Sequence, residues 1–332
     1  VESDQLGAQS PVTVHVMPAL LEFLETARRH GVGVALSTWY RQDSDDVRMN
    51  IHTPEDQARI WLDTLRVIDD AGLLDTIIYV DLCNEYPLPF WAPYLRAEDL
   101  GPEPSKTEPR LIEWMRDSIA ILRSHYPHLD YTFSFNSEFE RWPDLDVSML
   151  DVLEPHVWMA TTDNDRFNER VGYHFEKFDP IGFDHLVKNG RAEYENNRAE
   201  YDRLLFEQID RVADWSRATG LGLYTTECWS IVDYKDWPGL DWDWVLDLNA
   251  RAVEYAASKG RWVGIATSNF CGPQFAGMWR EVEWHQRLTT LIKSAPVDSD
   301  LSRTRTFRGS EPVNPTPSAT VPTLGKDLRH DI

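Results

Sequence analysis

Two glutamates stand where they could work as a pair. Asn84-Glu85 closes the apolar run 76–83, and Glu227 closes the run 221–226. Both runs read as buried strands. Parallel strands of one barrel present their C-terminal ends at a common mouth. Two carboxyl groups facing each other there have a defined chemistry: one protonates a glycosidic oxygen, and the other, about 5 to 5.5 Å away in the retaining version, attacks the anomeric carbon. A glutamate ending a strand is ordinarily a solvated rim residue. Two of them, in Asn-Glu-Tyr-Pro and Thr-Glu-Cys-Trp settings, weaken that explanation.

The neighbours suit the same chemistry. Side chains alternate along a strand, which puts Asp81 and Cys83 on the face of Glu85, and Thr225 on the face of Glu227 with Cys228 opposite. Asn84 can turn its amide to a sugar hydroxyl. His156 and Trp158 alternate on the next strand but one, where His156 can donate a hydrogen bond to a carboxylate and keep it ionised. Asn136 follows the strand 131–135 as a binding residue; Glu138 and Glu140 lie further into that loop and rank as binding residues at most. Fourteen tryptophans are many for this length. Trp39, Trp91, Trp142, Trp158, Trp229, Trp237, Trp242 and Trp279 follow strand ends or lie on a strand near the mouth, where indole faces stack on pyranose rings. Tyr40 shares the loop of Trp39. Trp61, Trp114, Trp215 and Trp262 read as core.

These residues need a scaffold of alternating strands and helices. Helices are expected over 17–29, from the Thr53-Pro54 start to about 70, and over 109–125, 191–218, 242–258 and 278–293. Strands are expected over 32–38, 76–83, 131–135, 152–159, 221–226 and 262–267. That alternation implies a parallel sheet. The fold class is α/β of (β/α)8 TIM-barrel type, but six strands are found where eight close a barrel. The expectation is a barrel lacking its first one or two strands, with residues 1–293 as the catalytic domain and the Pro/Ser/Thr-rich 294–332 as a mostly disordered tail. Residues 161–190 read as a lid or subsite wall. Asp163-Asn164-Asp165 resembles the start of a calcium loop but lacks its glycine and terminal glutamate.

Composition narrows the partners. The 332 residues carry 33 Lys and Arg against 55 Asp and Glu, a net charge of −22. This excludes nucleic acid, anionic membranes and polyanions, and favours a neutral glycan. No apolar run reaches the roughly 18 residues of a membrane span. Three cysteines far apart, Cys83, Cys228 and Cys271, form neither a disulfide framework nor a metal motif. No signal segment is visible after Val1, which favours the cytoplasm over secretion unless a segment was removed.

The Asn84-Glu85 strand end, the His156-Val157-Trp158 strand and the Glu227 strand, in that order, resemble the clan-A retaining glycoside hydrolases, the cellulase-like superfamily, over about residues 17 to 290. The resemblance implies strands four, six and seven of the barrel. It further implies Glu85 as acid/base, Glu227 as nucleophile, Asn84 as donor to the sugar 2-hydroxyl, His156 as a site partner, and no cofactor. Such enzymes commonly carry an Arg after the second strand and a Trp after the eighth; here Asn269 or Phe270 would line the site instead. Two rival readings are a sugar-binding barrel without catalysis, or a truncated glycosidase that has lost activity with its missing strands, and a metal-dependent barrel hydrolase or isomerase built on His156 with Asp and Glu ligands.

Overall fold

The computed structural model describes residues 13, 15–95, 100, 104–174, 180–267 and 279–301. Among the described residues nine short strands occupy six positions. They are β1 (Val34–Ser37), β2 (Ile77–Asp81), β3 (Tyr131–Thr132), β4 (Ser134–Phe135), β5 (Glu154–Pro155), β6 (Val157–Trp158), β7 (Leu223–Thr225), β8 (Cys228–Trp229) and β9 (Trp262–Ile265). All pairing is parallel and follows chain order: β1 on β2, β2 on β3, β4 on β5, β6 on β8, β7 on β9. β3 and β4, β5 and β6, and β7 and β8 are halves of single strands, each pairing with a different neighbour. Eight-stranded closure is not seen among the described residues, where β1 and β9 each pair on one side.

Helices Pro54–Asp70, Pro109–His125, Arg198–Thr219 and Asp243–Ser258 return the chain between strand positions. The first starts on a capping box, with Thr53 Oγ1 accepting from the Asp56 amide and the Asp56 carboxylate accepting from that of Thr53. The expected long helix from 191 is broken: Arg191–Asn196 and Arg198–Thr219 meet at Asn197, whose φ of −120° is not helical. The described residues of 161–190 are largely helical, with helices Thr162–Val171 and Pro180–His185. Asp163, Asn164 and Asp165 all take left-handed φ, and Asp163 is paired with Arg166, so the calcium-loop reading is not supported.

Two apolar clusters follow from the two faces of the sheet. The larger lies under the helices and includes Cys83, Tyr40, Trp215 and Trp229. The smaller lies inside the curve of the sheet, where Tyr79, Val152 and Tyr224 meet with the two tyrosine rings 4.9 Å apart. Gly264 lies against the Tyr224 ring, where a Cβ would collide. The packed chain continues past the last helix, Val282–Ser294: Leu301 is fully buried and Asp300 takes both oxygens to the buried Arg261 guanidinium at 2.8 Å. No described helix is long and apolar enough to cross a membrane.

Candidate active site

The strand interruptions carry the chemistry. His156 is the residue between β5 and β6, and Glu227 lies with Thr226 between β7 and β8. Breaking a ladder re-aims a side chain, which is why such irregularities collect at sites. The break also overturns the simple alternation expected here. Thr225 faces the helices, accepting the Trp262 indole N–H at 2.9 Å. Thr226 points inward and donates to Glu154 Oε1 at 2.5 Å, and the bend at Glu227 brings that side chain inward as well. β2 ends early, at Asp81, so Cys83 lies in the outer core and not on the face of Asp81.

Glu85 reaches the mouth by a turn. Its φ of 48° is left-handed, costly for a non-glycine residue unless the surroundings enforce it. They do so through a relay. Its amide donates to Ser134 Oγ at 2.8 Å, and that hydroxyl donates to Asp81 Oδ2 at 2.9 Å. Asp81 is fully buried and also accepts from Ser37 Oγ, the Ser134 amide and the Cys83 amide.

Glu85, His156 and Glu227 then converge. His156 Nδ1 lies 3.0 Å from Glu85 Oε1 and 3.5 Å from Glu227 Oε2, and its Nε2 is 3.8 Å from Glu154 Oε1. One atom from each of the first three falls within 4.8 Å of the others. The glutamate side chains are 14% and 12% exposed and the imidazole 1%, so a ligand can reach the carboxylates but not the ring. Asn136 Nδ2 donates to Glu85 Oε2 at 3.3 Å.

The electrostatics follow from this packing. Burial alone pushes the His156 pKa down, but Glu227, Glu154 and Glu85 outweigh it and hold it well above the usual imidazole value. Burial pushes Glu227 up to about 8; His156 opposes this, while charges on Glu85, Glu154 and Asp81 add to it. Burial and Glu154 push Asp81 up to about 7. Beside the imidazolium of His156, Glu227 therefore keeps a proton at neutral pH and Asp81 is half-protonated there. A carboxylate–imidazole–carboxylate trio can also ligate a divalent ion. Here Nδ1 sits at donor distance from carboxylate oxygens, the arrangement of an ion-paired imidazolium, and binding a metal would require stripping that proton.

The other expected residues divide. Asn84 is buried at the turn, its amide bonded to the Thr38 carbonyl. Trp39 pairs with Trp91 at 4.9 Å, and the Arg41 guanidinium lies 5.0 Å from both rings. Tyr40 is a core strut, donating to the Leu82 carbonyl at 3.3 Å. Trp158 and Trp229 are neighbours in register but are 3% and 0% exposed, and the Trp229 indole donates to the Ala266 carbonyl. Neither is an open stacking face. Asn269 and Phe270 lie outside the described residues. Cys83 and Cys228 are buried free thiols.

The sequence reading missed Lys106. It is 6% exposed, donates to Ser137 Oγ at 2.6 Å and to Asn136 Oδ1 at 3.5 Å, and so orients the amide whose other end faces Glu85. Glu138 is a clamp on the same loop, accepting from the Lys106 amide at 2.8 Å. No local pattern links positions 106 and 136; only the fold does.

Residues 1–293 match the model of the cellulase-like family described as sugar-binding cellulase-like. This chain belongs to that family. The crystal structure of a candidate glycoside hydrolase from Parabacteroides distasonis is 42% identical, covers 90% of this chain and 79% of its own, and superposes with a TM-score of 0.85. More distant is the cellulose synthase subunit Z of Clostridioides difficile, 12% identical over 85% of this chain and 81% of its own, TM-score 0.47. A Bacteroidetes-affiliated family 5 cellulase, 13% identical over 85% and 81%, has a TM-score of 0.42. Likeness at that level carries nothing about substrate. No curated protein matches. The cellulase-like family and its glycoside hydrolase relative make the fold TIM-barrel-like and the protein a member of a glycosidase family.

Proposed function

We propose that this protein is a retaining glycoside hydrolase acting on a neutral, β-linked glycan. The observation that carries the reading is the separation of Glu85 and Glu227, whose nearest carboxylate oxygens lie within 4.8 Å with His156 between them. So short a separation supports double displacement, in which the two groups stand about 5 to 5.5 Å apart, over inversion, which needs about 6.5 to 9.5 Å to admit a water.

In the first step Glu85 protonates the departing oxygen while Glu227 attacks the anomeric carbon. The glycosyl–Glu227 ester forms and the glycosidic bond breaks. In the second, Glu85 takes a proton from water, which displaces Glu227 and restores it. The cycle needs one proton on the pair. Burial stores that proton in the free site, and the imidazolium beside Glu227 favours leaving Glu227 as the carboxylate when Glu85 takes the proton. Activity is expected to fall above about pH 8, where the proton held on Glu227 is lost. Asn136 steadies Glu85.

Proton NMR of the products of 4-nitrophenyl β-glycosides and neutral β-oligosaccharides tests the mechanism. The β-anomer should appear first, with turnover unchanged in EDTA. Initial α-anomer contradicts it, and loss of turnover in EDTA restored by a divalent ion would point to a metal enzyme. Lys106→Met frees the Asn136 amide to turn away. Loss of one charge-assisted hydrogen bond in that chain is expected to cost about tenfold in kcat, with Lys106→Arg intermediate. An unchanged kcat in Lys106→Met would mean the lysine only closes the loop.

A further inference from the structure

Glu154 puts a carboxylate where an apolar side chain would ordinarily fill the space. Val152, Glu154 and His156 alternate on the inner face of one strand, and Val152 packs with Tyr79 and Tyr224 inside the curve of the sheet. Glu154 is 2% exposed, out of reach of a substrate, and lies between that apolar cluster and the groups of the mouth. Burial, and next the Glu154 charge, hold the Tyr79 hydroxyl well above its ordinary pKa on the apolar side. A carboxylate in such a place is costly unless its neighbours answer it. Two do. Oε1 lies 3.8 Å from His156 Nε2, and the same oxygen accepts from the Thr226 hydroxyl at 2.5 Å. Oε2 has no hydrogen-bond partner among the described residues.

Both contacts bear on the catalytic pair. His156 turns its other nitrogen, Nδ1, to Glu85 at 3.0 Å and to Glu227 at 3.5 Å. An acceptor at Nε2 therefore fixes the ring's orientation and favours a proton on both nitrogens. Thr226 precedes Glu227 in the bend between β7 and β8, so its hydroxyl bond fixes where that bend lies. The charged groups acting on the imidazole are Glu154 from its own strand, Glu85 from the turn after β2, Asp81 from β2 and Glu227 from the bend. Of the three glutamates, Glu154 alone faces Nε2. Resting on the glycosidase reading, we propose that Glu154 is a positioning residue of the reaction: through Oε1 it holds the His156 imidazolium and the Thr226–Glu227 bend in one relative placement. The positive charge then stays beside the nucleophile through both steps. Glu154 itself touches no substrate.

Glu154→Gln on the full chain tests this, since it keeps the volume and an acceptor for Thr226 but removes the charge opposite Nε2. The first readout needs no substrate. Nitrogen NMR in EDTA, with the His156 ring signals identified by their loss in His156→Gln, should show both nitrogens protonated at pH 7 in the unmutated protein. In Glu154→Gln the ring's titration should move down by about one pH unit or more. The second readout is kinetic. On a 4-nitrophenyl β-glycoside that the unmutated protein hydrolyses, kcat should fall about tenfold with KM nearly unchanged. The alkaline limb should move to lower pH, because removing a negative charge from the cluster weakens its hold on protons. Thr226→Val, which cuts only the second contact, should lower kcat and leave the limb in place. A His156 Nε2 without its proton in the unmutated protein overturns the proposal even if Glu154→Gln fails to fold, and so does an unmoved limb in the folded variant. The two readings separate: an imidazolium that depends on Glu154 in a protein that cleaves no glycoside removes the glycosidase reading alone, whereas retaining cleavage with an unmoved limb removes the role of Glu154 alone.

Discussion

Glu227→Gln should lose at least about 10⁴-fold in kcat, because the amide cannot form the glycosyl ester on which both chemical steps depend. The same change should make the folded protein more stable at pH 8. The sign follows from the raised pKa. Unfolded, Glu227 ionises near 4.5; folded, near 8. Between those values the folded state binds more protons, so stability falls as pH rises through the window. Burial of the ionised carboxylate is the cause, and glutamine removes it. Thermal unfolding from pH 5 to 8.5 should therefore show a Tm decline in the parent that is shallower in Glu227→Gln. Undiminished turnover in the variant would remove Glu227 from the chemistry, and a parallel decline in both proteins would show that its charge is not strained by burial. His156 acts in the same direction. Its raised pKa gives stability that is full below its unfolded value near 6.5 and is lost as pH rises through the folded one.

Asp81→Ala should be the most damaging substitution for stability near the site. It strips the acceptors from two hydroxyls and two backbone amides in a fully buried place. Leaving such donors unsatisfied costs about 3 kcal/mol or more. Asp81→Asn keeps the shape, and the serine hydroxyls can rotate to meet its amide, so the loss should stay under about 1 kcal/mol near neutral pH. Urea unfolding of the three proteins separates these cases. Equal stability of the alanine variant and the parent would mean the relay through Ser134 to the Glu85 amide holds nothing. If the relay does hold Glu85 in its left-handed turn, Asp81→Ala should also lose turnover under conditions where it remains folded.

The residues of greatest consequence were visible in the chain because each is announced by a local pattern. An apolar run ending in Asn-Glu or Thr-Glu marks a strand end, and six apolar runs alternating with helices mark the parallel sheet. What the pattern cannot carry is register within an irregular strand. Alternation put Thr225 and Cys83 on the inner face, but the chain bends at Glu227 and turns at Glu85, and both assignments reversed. Aromatic type alone likewise misplaced Tyr40 and Trp229, since a tyrosine hydroxyl or indole N–H satisfied by a carbonyl is at home in a core. Lys106 and Ser134 were invisible for another reason: each matters only through partners distant in sequence. The segment 161–190 read as a lid or subsite wall from its length, and Phe167, Phe183 and Leu186 show what length alone cannot, that its described helices are anchored in the core.

Double displacement requires a covalent intermediate on Glu227. Incubation with 2-deoxy-2-fluoroglycosyl fluorides of the β-series, followed by intact mass and peptide mapping, tests it most directly. One fluorosugar per chain, esterified to Glu227 and lost in the presence of an acceptor sugar, is the predicted result. Label on another carboxylate, or a protein that hydrolyses the matching glycoside yet never carries the label, would contradict it.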